Sequence, residues 1–309
     1  MNTKILTSII VSLSVTIASA SASAQTKRVY VKVLSPAQQA AAQATAEVSA
    51  IAGQLQPILP SKNYGRVTGE LKEYWDGKNL VKEAIEHLTT QEKAELCNDI
   101  SLILNNTGFP SQIPLVLHSG GFLTPPTAFH FAGVSAECKS VLFNNFMYSL
   151  IKTGCYGDVP LLSKSAGYWS GSSIAPMIFS GVGLNFKAEL YANVSCSLAK
   201  IGAYEEIKEL AAKSLFWTRS AAPASWKGVS PASKATLGAA LSCSFIKSAD
   251  YSNLMNSLMR SWGYFNGAAF VASAITPISE PYKSIVKNAL EIGFTHTGRA
   301  TQISALKKL

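Results

Sequence analysis

The chain has 309 residues, 48% of them hydrophobic and only 15% charged, with Ala, Ser and Gly abundant. That balance excludes a solvated, disordered chain and suits closely packed helices. The 27 basic and 18 acidic residues leave a formal net charge of +9, which favours acidic partners or a solvated basic face and says nothing about fold.

In chain order, the first residues read as an export signal. Lys4 supplies a positive start, residues 5–18 an apolar stretch, and Ala22-Ser23-Ala24 a small-x-small cleavage site. The expectation is a signal peptide over 1–24, a mature chain from Gln25, and a periplasmic or secreted location. No later stretch reaches the roughly 18 uninterrupted apolar residues of a membrane span, so no transmembrane segment is expected after cleavage. Residues 25–35, with "KRVYVKV", read as an extended N-terminal arm or a short strand. Residues 36–92 read as a degenerate leading helical unit. Its first helix starts at Ser35 as N-cap with Pro36 in the first turn, and "GELKEYWDG" and "LVKEAIEHL" suggest further helices.

From Lys93 the chain repeats. "KAELCNDISLILNNTGF", "KSVLFNNFMYSLIKTGCY", "KAELYANVSCSLAKIGAY", "KATLGAALSCSFIKSADY" and "KSIVKNALEIGFTHTG" begin at 93, 139, 187, 234 and 283, spaced by 46, 48, 47 and 49 residues. Each copy carries an apolar stripe at i, i+4 and i+8, opened by Leu96, Leu142, Leu190, Leu237 and Val286, which predicts one helix face. A small residue ends each helix: Gly108, Gly154, Gly202, Ala249, Gly298. Thr89 with Glu92 spells a capping box, and Ser230-Pro231 a helix start. The four full copies continue into a second helix, then a Pro-, Gly- and Ser-rich connector that in one copy, "SSIAPMIFSG", has room for a third. The prediction is an all-α fold, an α-solenoid of about four and a half repeats with the period of HEAT and armadillo arrays but not their consensus residues. The partial fifth copy is expected to act as a C-terminal cap, its tail "RATQISALKKL" facing solvent.

The stretch "HSGGF" at 118–122 resembles the HGGG oxyanion loop of lipases and esterases. It stands, however, where other copies have "KSAGY", "KSLFW" and "RSWGY", so it reads as the end of a second helix. No G-x-S-x-G elbow follows it. Three basic columns run through the copies. One is Lys93, Lys139, Lys187, Lys234, Lys283; another is Asn106, Lys152, Lys200, Lys247, His296. The third, His118, Lys164, Lys213 and Arg260, is accompanied by Phe122, Tyr168, Trp217 and Tyr264. A basic-aromatic ladder of this kind would grip an acidic protein or an envelope polymer; the competing expectation is that the bases serve helix ends and the aromatics pack between repeats.

No residue is assigned a catalytic role. The four histidines lack a carboxylate cluster and there is no C-x-x-C, so neither a metal site nor a cofactor is expected. The five cysteines are odd in number, which leaves at least one unpaired; Cys97 with Cys138 is the disulfide expected, because Cys138 is read as preceding its helix, where the chain can bend toward the first turn of the preceding repeat. The sequence therefore points to a non-catalytic binding or scaffold module for an acidic macromolecule. The alternative is a hydrolase of envelope or extracellular polymer with its site in the concavity. Export and modest charge argue against nucleic acid.

Overall fold

A computed structural model describes residues 34–67, 69–124, 128–169, 180–217 and 226–309. Residues 1–24, read as a signal, most of 25–35, read as an arm, and most of the connector "SSIAPMIFSG" lie outside the described residues. The described chain is all-α apart from a two-stranded antiparallel pair, β1 (Leu123–Thr124) with β2 (Ala128–Phe129), and two isolated bridges. None of its helices is long and apolar enough to cross a membrane.

Each repeat start opens a long helix: α3 (Thr90–Thr107), α5 (Ala136–Lys152), α7 (Leu184–Lys200), α9 (Pro231–Lys247) and α12 (Tyr282–His296). The caps are those the sequence signals. Thr89 and Glu92 close a reciprocal capping box, and Ser230 takes the Ser233 N–H. Gly108, Gly154, Gly202 and Gly298 take φ between +71° and +87°, and Ala249 holds φ +55° at the same place, a conformation that disfavours a Cβ. All of the stripe residues are buried, from Leu96 to Phe294.

These long helices pack on one another in chain order, α3 on α5, α5 on α7, α7 on α9, α9 on α12. The shorter helices α4 (Ile113–Ser119), α6 (Asp158–Ser165) and α8 (Tyr204–Lys213) each pack on their own long helix and on the next. In the fourth repeat α10 (Tyr251–Asn253) runs into a π-helical turn, Leu254–Met259, that bridges α9 and α12. Within α9, Gly238 and Phe245 face the second helices: a Cβ at 238 would meet the Trp262 ring, and Phe245 meets Trp217 edge-on at 5.3 Å. Cys243 and Lys247 point the other way, to α1 (Pro36–Gln54). The long helices are thus sandwiched, which explains why α7 and α9 are buried almost all round.

Three expectations change. The leading unit holds one long helix, α1, and not three. Pro57 and Pro60 stop the helix, and residues 55–67 run on without regular structure. The stretches read as helices are a 3₁₀ turn at Leu71–Glu73 and the four-residue α2 (Lys82–Ile85). Second, the C-terminal tail does not simply face solvent: it forms α13 (Ala300–Leu306), which packs on α12 and buries Leu306. Third, all five cysteines are free thiols, Cys97 and Cys138 included. Cys138 lies inside the first turn of α5, beside the Tyr64 hydroxyl, while Cys97 Sγ points to the Val116 carbonyl at 3.9 Å. The two thiols lie near enough to interact, Cys138 adding to the burial that raises the Cys97 pKa, but no bond joins them.

A further internal likeness emerges at the connectors. Trp75 bridges Leu80 and Phe265 bridges Phe270. Asp76 Oδ1 accepts the N–H groups of Lys78 and Asn79; Asn266 Oδ1 accepts those of Ala268 and Ala269. A four-residue helix follows each, α2 and α11 (Ala272–Ile275). The connector leading into α3 is therefore built like the one leading into α12.

Candidate functional site

The aromatic half of the basic-aromatic ladder is not at the surface. Phe122, Tyr168, Trp217 and Tyr264 are between 0% and 4% exposed. His118 is committed locally, its Nδ1 3.0 Å from the Leu123 carbonyl oxygen. Ser119 ends α4; its hydroxyl donates to the Val116 carbonyl and accepts the Leu80 N–H. The His-Ser-Gly-Gly stretch is a helix end with its hydroxyl engaged in packing.

What meets the buried rings is the first basic column. Lys139 lies 5.8 Å from the Tyr168 ring centre, Lys187 5.9 Å from Phe216, and Lys234 4.9 Å from Tyr264. Each lysine sits in the first turn of its helix, where the dipole disfavours a cation. Burial pulls all three pKa values below the ordinary lysine value, and for Lys139 and Lys234 burial is the only cause, with no carboxylate contributing. A lysine is kept in such a place by ring contact. In the third column Lys164 comes to the same edge as Lys139, the two lying over the adjacent Trp169 and Tyr168 rings. Lys164 is 4.6 Å from the Trp169 ring and 3.9 Å from Glu206; Lys213 pairs with Glu209 at 3.0 Å.

The opposite face of the long helices carries a feature that the repeat columns concealed. α1 and residues 55–66 lie along it, from α12 at one end to α3 at the other. Asn193 reads one residue of this segment twice: its Oδ1 accepts the Ile58 N–H at 2.7 Å and its Nδ2 donates to the Ile58 carbonyl at 2.9 Å. Glu189 accepts the Ser61 N–H, and Asn98 donates to the Lys62 carbonyl. Asp99 takes two N–H groups, of Tyr64 at 2.8 Å and Arg66 at 2.6 Å. Amide-to-amide bonds tie the readers together, Asn193 to Asn144 and Asn145 to Asn98. Side chains on the segment add charge complementarity: Lys62 pairs with Glu137, and Arg66 pairs with Glu92 and Glu95. Beyond Arg66 a cleft of about 440 Å³ opens, lined also by Glu73, Tyr74 and His87.

The polarity of this face follows the conformation of what covers it. Six residues after the repeat lysine stand Asp99, Asn145 and Asn193, then Ala240 and Ala289. Extended chain leaves its N–H and C=O groups in need of partners, and the polar residues occur on the three helices beneath it. Helix α1 satisfies its own backbone, and over α9 it meets the Cys243 thiol, which points to the Val48 carbonyl. The second basic column holds α1 in place. Lys200 donates to the Ala52 carbonyl in the last turn of α1 at 3.0 Å, as a cation at a helix C-terminus should. Lys247 reaches Thr45, and His296 meets Glu47 at 2.8 Å while stacking on Tyr251. The signal for this face was present in the sequence as polar residues at i, i+3 or i+4, and i+7, such as Glu92, Glu95 and Asp99. Such a stripe reads as a solvent face until something is seen to cover it.

No protein-family model, no curated protein and no solved structure matches this chain.

Proposed function

We propose that the chain is an exported α-solenoid of HEAT or armadillo-like architecture, with helical pairs from 93, 139, 187 and 234, a closing unit from 283, and residues 36–92 preceding the array, their helix α1 laid across its inner face against α9 and α12. It acts as a binding module for an acidic macromolecule, a protein or an envelope polymer. The observation that carries this reading is the row of half-buried lysines set over rings, Lys139, Lys187 and Lys234, flanked by Lys164, Lys213 and Arg260. Cations in first helical turns, partly desolvated, cost the folded protein stability. An anionic partner turns that cost into affinity. The hydrolase alternative needs free carboxylates on the inner face. There Glu95, Asp99, Glu137 and Glu189 each hold residues 61–66, which favours the binding reading.

The test is Lys139→Met with Lys234→Met, compared with wild type on immobilised poly-glutamate under a salt gradient. Each lysine removed should weaken retention about two- to five-fold at low salt, flatten the salt dependence, and raise the melting temperature. Unchanged retention together with a lowered melting temperature would show that these lysines serve the fold alone.

A further inference from the structure

We propose that the inner face of α3, α5 and α7 is a recognition groove for an extended basic polypeptide, filled here in cis by residues 55–66. This does not rest on the acidic-partner reading: it concerns the opposite face and a partner of opposite charge. Three observations carry it. The segment has no regular structure of its own, and its backbone polar groups are taken by side chains of the groove rather than by a neighbouring strand. Recognition of that kind reads the main chain, which every polypeptide has. The groove then selects by side chain. It buries an apolar residue at 55 and at 58, and it places carboxylates at two further points, Glu137 for Lys62 and the Glu92–Glu95 pair for Arg66. In a chain of net charge +9, this acidic end is a local reversal of sign. Finally, the residues that do the reading are confined to the helices beneath extended chain and give way to Ala240 and Ala289 elsewhere. The groove is built for extended polypeptide rather than for α1.

The chemistry defines the occupant: a segment without regular structure, with apolar residues three apart, a basic residue four places on, and a turn at a glycine (Gly65, φ +71°) that delivers a second basic residue four places beyond, as Leu55, Ile58, Lys62 and Arg66 stand. A tethered copy acts at an effective concentration on the order of millimolar, so the groove is closed to a free ligand until residues 55–66 leave it. The partner is a separate protein bearing such a segment.

The probe is a fluorescein-labelled synthetic peptide of residues 55–67. Full-length protein with its own segment weakened by Ile58→Asp, Lys62→Glu and Arg66→Glu should bind it at least tenfold more tightly than wild type does. Adding Asn193→Ala or Asp99→Ala should remove that binding, and a peptide with Lys62→Glu and Arg66→Glu should not bind. Circular dichroism establishes that the variant keeps its helices. If it does not, a second measurement decides: with the segment itself native, Asn193→Ala should let trypsin cut at Lys62 and Arg66 at least tenfold faster, while Asn256→Ala, on the second-helix side, leaves the rate unchanged. A folded triple variant that ignores millimolar peptide, peptide binding indifferent to Asn193 and Asp99, or tryptic rates equal in Asn193→Ala and wild type would each overturn the proposal. Concentration-dependent dimers dissolved by the peptide would overturn the assignment to a separate partner and give the groove to a second copy of this chain.

Discussion

Replacing Asn193 with Ala isolates what one groove amide contributes to stability. Asn193 is fully buried and Ile58 is 5% exposed. The substitution leaves the Ile58 N–H and C=O without partners, and the Asn144 side-chain oxygen Oδ1 loses the N–H it accepts from Asn193. An unsatisfied buried polar group costs about 1–3 kcal/mol, so the two backbone groups together set a range of about 2–6 kcal/mol. Two terms reduce it. Ala is a better helix former than Asn by up to about 0.7 kcal/mol. Residues 59 and 61–66 are partly exposed, so water reaches a loosened segment. The expected loss is about 2–4 kcal/mol, read by urea denaturation followed by circular dichroism. Asn193→Asp should lose at least as much, because a carboxylate accepts the Ile58 N–H but donates nothing to the Ile58 carbonyl. Asn256→Ala, exposed, should stay within about 0.5 kcal/mol of wild type. A loss below about 0.5 kcal/mol for Asn193→Ala would refute the reasoning: the segment would then be resting on the groove without being held by it.

Two further outcomes follow from packing and from charge. A Cβ at Gly238 would stand 2.4 Å from the Trp262 ring, itself packed on Trp226 at 4.2 Å, whereas one at Gly293 meets the flexible Met255 thioether. Gly238→Ala should therefore lose about 1–2 kcal/mol in chemical denaturation, overpacking exceeding the gain in helix propensity, and Gly293→Ala should lose less; the reverse order would show that the Trp262 ring yields. Glu189 is buried, and burial raises its pKa above the usual 4.5. The folded state thus favours the protonated form: the carboxyl's contribution is full below pH 4.5 and is lost as the pH rises through the raised value. Glu189→Gln should melt higher than wild type at pH 7, and the two should converge below pH 4.5; a lower melting temperature at pH 7 would show that the Ser61 N–H holds the charged form.

The sequence by itself determined the local structure. A lysine returning every 46–49 residues, an apolar stripe of helical period, small residues at helix ends and the Ser35, Thr89 and Ser230 caps are all statements about neighbours in the chain. Local hydrogen bonding and burial of one face are enough to make them true, and the all-α fold follows. It also located the "HSGGF" stretch at a helix end by its column alone. Tertiary structure decided which faces are covered. The ladder aromatics and the polar stripes have the same periodicity whether they meet solvent or protein, because period reports a direction around a helix and not what lies in that direction. Phe122, Tyr168, Trp217 and Tyr264 turned inward to the core. Glu95, Asp99, Glu189 and Asn193, which a stripe would assign to water, instead hold a segment up to 135 residues distant in the chain. Pro57 and Pro60 announce that α1 must stop; only the long helices beneath it decide where the extended chain goes next, by offering its backbone the partners it would otherwise find in water.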